Sequence, residues 1–85
     1  MNLVTMTGVL KDKIDDTFRE LEYDAPFSES NNHETMRIKT IYWTRQSGNR
    51  LINLSSGTRV LIHGHLEAHK IFGTILLAEE LEVIG

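Results

Sequence analysis

Three cations and an indole share one parity of residues 35–45, "TMRIKTIYWTR": Arg37, Lys39, Trp43 and Arg45, with Ile41 among them. In a β-strand, alternate side chains project to one face, so these groups would stand in a single row at intervals of about 7 Å. A flat aromatic beside guanidinium and ammonium groups suits a ligand that is itself flat and anionic. The ring offers a stacking face and the cations take the negative charge. The other parity, Met36, Ile38, Thr40 and Tyr42, makes the complementary core face, which is why Tyr42 reads as core. The residues alone leave a plainer alternative open, in which Trp43 packs in the core or a subunit interface and the cations are simply solvated.

The elements that must position this row are short strands. Two seven-residue echoes, "VTMTGVL" (4–10) and "VLIHGHL" (60–66), alternate as half-buried strands do. Val4, Met6 and Leu10 face one way in the first, and Val60, Ile62 and Leu66 face in from the second. Gly8 and Gly64 fall on the inward sets, where a missing side chain lets a strand bend or another backbone come close. Long strands that turn such corners suit a small coiled barrel. Residues 17–23, "TFRELEY", form a weaker strand with Phe18, Leu21 and Tyr23. Residues 74–84, "TILLAEELEVI", fit either a strand or an amphipathic helix, and the preceding Phe72-Gly73 favours a hairpin. The loop 24–34 holds the only proline, and in 46–57 Leu51, Ile52 and Leu54 predict one turn of helix beneath the barrel.

A chain of 85 residues is one domain with one core, small enough that self-association is a natural supplement. It has no cysteine, which removes disulfides and thiolate metal sites. No apolar run approaches a membrane span, and the N-terminus lacks a secretory pattern, so the expected location is the cytoplasm, away from membranes. The net charge of −3 hides an asymmetry. Residues 1–34 carry −5, residues 35–70 carry +5 and residues 71–85 carry −3. A basic middle third in an acidic chain predicts one positive surface facing an anionic partner, although ordinary charge mixing gives similar numbers.

Other residues divide between function and packing. Phe27, alone in its polar loop, is a stacking residue or a plug folded onto the barrel. Phe72 at the hairpin tip reads in the same two ways, and Lys70 beside it is within reach of a phosphate. Arg50 and Arg59 serve general electrostatics. His63, His65 and His69 share one parity of their strand. Imidazoles two apart can share a metal, but with no carboxylate clamp or thiolate they read as surface residues, so no metal and no cofactor is expected. The adjacent pairs Asp15-Asp16 and Glu79-Glu80 point to opposite faces of a strand and cannot work as one acid–base dyad. No nucleophile–histidine signature or phosphate-cradling glycine loop is present, so no catalytic residue is assigned and no enzyme expected.

Five strands, glycine bends in the first and fourth, and a basic-aromatic third strand resemble the bacterial single-stranded DNA-binding protein family, including its primosomal replication protein N branch. The similar segments are "NLVTMTGVL", "SSGTRVLIHGHLEAHK" and "ILLAEELEVI", the last closest to the primosomal branch. The resemblance implies an all-β oligonucleotide-binding (OB) fold, a five-stranded Greek-key barrel with its ligand face on the second and third strands. It also implies single-stranded DNA as ligand, a homodimer or homotetramer, and work beside other replication proteins in replication, repair or restart. Trp43 stands where that family ends its third strand in an aromatic, and takes the base-stacking role on that ground. The chain departs from the family in a shrunken helix between strands three and four, a short hairpin loop near His69–Gly73, and the absence of a long acidic tail. A protein-docking OB domain with little affinity for nucleic acid is the competing reading.

Overall fold

The computed structural model describes residues 2–25 and 34–85. They form β1 (Val4–Lys13), β2 (Phe18–Ala25), β3 (Glu34–Tyr42), the single turn α1 (Arg50–Asn53), β4 (Arg59–His69) and β5 (Gly73–Val83). The strands close into a barrel in the order β1-β2-β3-β5-β4. Neighbours run antiparallel except β3 and β5, which pair in parallel through Thr40↔Leu76, Ile41↔Leu77 and Tyr42↔Ala78. This is the OB fold. The run whose residue types leaned helical is strand β5, because its hairpin with β4 pairs continuously from His69↔Gly73 to Gly64↔Ala78. Gly73 makes the turn with φ of +77°, a conformation that favours glycine.

Register explains the repeated glycine pattern. The two echoes lie antiparallel against each other, with Val4 opposite Gly64, Met6 opposite Ile62 and Gly8 opposite Val60. Each glycine also lies where a third backbone presses close. A β-carbon on Gly64 would overlap the Leu77 carbonyl oxygen, and one on Gly8 would come 2.5 Å from that of Glu22. These are the corners of the barrel. At Val9, β1 passes from pairing with β4 to pairing with β2, and the β4–β5 register slips between His63 and Gly64.

Two apolar clusters result. The interior is filled by Leu10, Leu21, Val60, Ile62, Leu76 and Leu81, closed at one end by Leu51 of α1. A second cluster lies outside the barrel wall, where Phe18, Ile41, Ile75 and Leu77 are roofed by Phe72. Strand parity in β3 is therefore only partly the expected one. Thr40 is buried, and Ile38 and Tyr42 pack on the interior, but Met36 is 47 % exposed. β5 joins β3 only from Thr40 onward, so Met36 lies on a two-stranded ribbon with β2, paired to Tyr23, that no third strand among the described residues covers. Ile41, on the cation parity, is buried by the outer cluster instead.

The most consequential residue inside is Arg19, which is fully buried on the same face of β2 as Leu21. Its Nε donates to Lys11 O at 2.8 Å, and its Nη1 donates to Leu51 O at 3.0 Å, to Ile52 O at 3.2 Å and to Leu54 O. Its Nη2 donates to Ser56 Oγ at 3.2 Å. A helix end leaves carbonyls without partners, and a one-turn helix has little else. Asn49 caps the start of α1 by accepting from Ile52 N at 3.1 Å, and Arg19 closes the other end. Burial lowers the guanidinium pKa, with Asp12 acting in the opposite sense.

Candidate nucleic-acid interface

The outer face of β2 and β3 carries the expected site residues, in a changed arrangement. Arg37 and Lys39 stand on β3 in the predicted row, and the Arg37 side chain is 54 % exposed. β3 stops at Tyr42, however. Arg45 N donates to Tyr42 O at 2.9 Å, closing a turn over Trp43 and Thr44, and Arg45 takes φ of 54°. Strand alternation thus does not reach Arg45, which is exposed beyond the turn. Trp43 remains tied to the barrel, since its N–H donates to Ala78 O on β5 at 2.8 Å. Its indole is 62 % exposed, the largest aromatic surface the described residues offer to solvent.

The cations of β3 are not free. Glu20 and Glu22 of β2 lie opposite Lys39 and Arg37 in the register. Arg37 donates through Nη1 to Glu20 and through Nε to Glu22, both at 3.2 Å. These bonds raise its pKa further above the ordinary guanidinium value. Such exposed pairs are individually weak, typically about 0.2–1 kcal/mol.

At the rim of this face the β4–β5 turn folds inward. Phe72 stacks on His69 at 4.9 Å between centroids and meets Phe18 edge-on at 5.0 Å. Lys39 Nζ sits 5.7 Å from the Phe72 centroid, which joins the hairpin tip to β3. His69 Nδ1 accepts from Ile71 N and Phe72 N at 3.1 and 3.2 Å, so the proton of its neutral ring is on Nε2. Phe72 is half-buried with a stacked partner already in place, whereas Lys70 on the same turn is exposed. Phe27 lies outside the described residues.

The histidines separate. His69 belongs to the aromatic rim, and His63 Nδ1 lies 3.0 Å from Thr5 Oγ1. His65 is held between Glu79 Oε1 at 2.6 Å and Glu67 Oε1 at 2.8 Å. Donating to the Glu67 and Glu79 carboxylates raises its pKa above the ordinary imidazole value. The carboxylates were legible in the sequence, but their meeting on one histidine depends on a register set by the bulge after His63.

No family model and no curated protein sequence matches this chain. Solved structures do match in shape. The small single-stranded DNA-binding protein of Streptomyces coelicolor superposes with a TM-score of 0.70 at 15 % identity, over 99 % of this chain and 95 % of that one. The mitochondrial single-stranded DNA-binding protein of S. cerevisiae gives a TM-score of 0.64 at 9 % identity, over 98 % and 92 %. The SSB domain of a Synechococcus protein gives 0.60 at 16 % identity, over 96 % and 94 %. At these identities the shared property is the fold, and the likeness runs through nearly the whole chain rather than through a fragment.

Proposed function

We propose that this protein binds single-stranded DNA with little sequence preference and acts in replication, repair or replication restart. Bases stack on Trp43, and phosphates pass along Arg37 and Lys39, with Arg45 and Lys70 adding charge at the edges. Phe27 is a further candidate for stacking from the β2–β3 connection, and Phe72 contributes mainly by holding the rim. The observation that carries this reading is the exposed indole of Trp43 on anchored backbone, at the end of the basic strand of an OB barrel. Solved structures of single-stranded DNA-binding proteins sharing that barrel support it. Stacking contributes about 1–3 kcal/mol per base and depends little on which base is present.

Self-association fits the same reading. From Val4 to Gly8, β1 pairs with β4 on one edge and, among the described residues, with no strand on the other. That edge carries no charge or proline, the usual guards against strand addition, and Leu3 beside it is 82 % exposed. A homodimer or homotetramer built on this edge is part of the proposal. A second reading, a domain that docks another protein of the replication machinery, is favoured by the carboxylates that already occupy Arg37.

Titration with oligo(dT) at two salt concentrations, followed by tryptophan emission and run beside light scattering, tests the proposal. Quenching with an affinity that falls steeply as salt rises is the expected result. No binding at low salt overturns it and leaves the protein-docking reading.

A further inference from the structure

The outer faces of β1, β2 and β3 carry an unbroken chain of charges: Lys11, Glu22, Arg37, Glu20 and Lys39. Each carboxylate bridges two cations with separate oxygens. Glu22 turns Oε1 to Lys11 at 3.7 Å and Oε2 to Arg37 at 3.2 Å. Glu20 turns Oε1 to Lys39 at 3.7 Å and Oε2 to Arg37 at 3.2 Å. A phosphodiester would bridge the same cations in the same way, with its two free oxygens. The glutamate side chains are only 23 % exposed, so they lie along the strand surface and do not extend into water.

Resting on the reading of this face as a nucleic-acid interface, we infer that Glu20 and Glu22 are built-in occupants of the phosphate positions and set its specificity. An incoming strand reaches Arg37 and Lys39 only by sharing them with these carboxylates. Charge alone is then a poor ligand for this face, and a chain that also stacks on Trp43 has the advantage. The pair thereby discriminates single-stranded nucleic acid from polyanions without bases. It also makes the salt dependence shallower than the number of cations suggests, because cations already neutralised contribute less to counterion release.

The test compares wild type with Glu20→Gln/Glu22→Gln, using oligo(dT) and inorganic polyphosphate as probes over a series of salt concentrations. Glu80→Gln/Glu82→Gln makes the same change in net charge on the part of β5 beyond Ala78, which among the described residues pairs with β4 alone. The single variants Glu20→Gln and Glu22→Gln repeat the measurement should the double variant fold poorly. Removing two surface repulsions is expected to tighten oligo(dT) binding roughly three- to tenfold at low salt. One or two freed cations are expected to steepen the plot of log K against log salt by about 0.7–1.4. Polyphosphate should gain by a larger factor than oligo(dT), and Arg37→Gln should cost more affinity in the double variant than in wild type. Should wild type bind while the β2 variant matches it, or while the β5 variant shows the same gains, the inference is overturned and the interface reading stands. Absence of oligo(dT) binding by every protein at low salt overturns both.

Discussion

The two faces of β2 use a guanidinium group in opposite ways. On the inner face Arg19 is sealed from water and bonded to neutral oxygens at the end of α1 and in its neighbourhood. On the outer face Arg37 reaches across from β3 to two carboxylates while half its side chain stays in solvent. Their pKa values move apart accordingly, lowered for Arg19 by burial and raised for Arg37 by Glu20 and Glu22. A buried charge resting on carbonyls cannot be traded for a ligand, because each released oxygen would be left without a donor. An exposed charge resting on carboxylates can be traded, because water and phosphate replace the lost partners at small cost. Inside the barrel the arginine is a structural part; outside it is exchangeable.

The sharpest way to break this comparison is Arg19→Met. It leaves the α1 carbonyls unsatisfied in the interior and should cost about 3 kcal/mol or more of stability. For a domain of this size that lowers Tm by more than about 10 °C, read by thermal melts. Arg37→Gln, followed in the same melts, should leave Tm nearly unchanged, because its two ion pairs are exposed to solvent. Equal losses at the two positions would erase the distinction.

Trp43→Ala comes next in size and separates stability from binding on the outer face. The exposed indole contributes little to the fold, so Tm should hold, while affinity for oligo(dT) falls by about 1–3 kcal/mol for the base it stacks. Fluorescence anisotropy with a labelled oligonucleotide measures this without the tryptophan. Unchanged affinity would remove the stacking mechanism and leave the barrel intact.

The smallest effect concerns a third cation, His65, which resembles Arg37 in its two carboxylate partners but can lose its proton. Its folded-state pKa is raised, so its contribution to stability is fully present below the ordinary imidazole value of about 6.5. That contribution disappears as pH rises through the higher, folded value. Urea midpoints should therefore decline across this window in wild type and decline less in His65→Gln. A decline of equal size in both proteins would show that the clamp is not what titrates.

Much of the fold was legible because alternation is a local property. Val4, Met6 and Leu10 against Val60, Ile62 and Leu66 identify two strands, and their glycines mark the corners. The helical turn at Leu51 and Ile52 was equally readable, as two buried apolar residues within a polar connection. What escaped depends on distant partners. Arg19 looks like any surface arginine between Phe18 and Glu20, and only the arrival of α1 beneath β2 gives it carbonyls to hold. Alternation alone likewise counted Met36 as core and Ile41 as surface, because how far β5 extends along β3 is not written in either strand. The row of cations was visible in β3, but the carboxylates that occupy it are contributed by the register of β2. For Arg45, β3 ends at Tyr42, three residues before the alternating run does, and the turn that follows moved the side chain out of the row.

Trp43 is the only tryptophan in the chain, and it already sits largely in water. Its emission in the native protein should thus lie close to that of the denatured chain, making this signal a poor gauge of melting. The same blindness is useful at the bench: a shift in colour or intensity when a ligand is added reports an event at one corner of the barrel, with no dye attached and little confusion from partial unfolding.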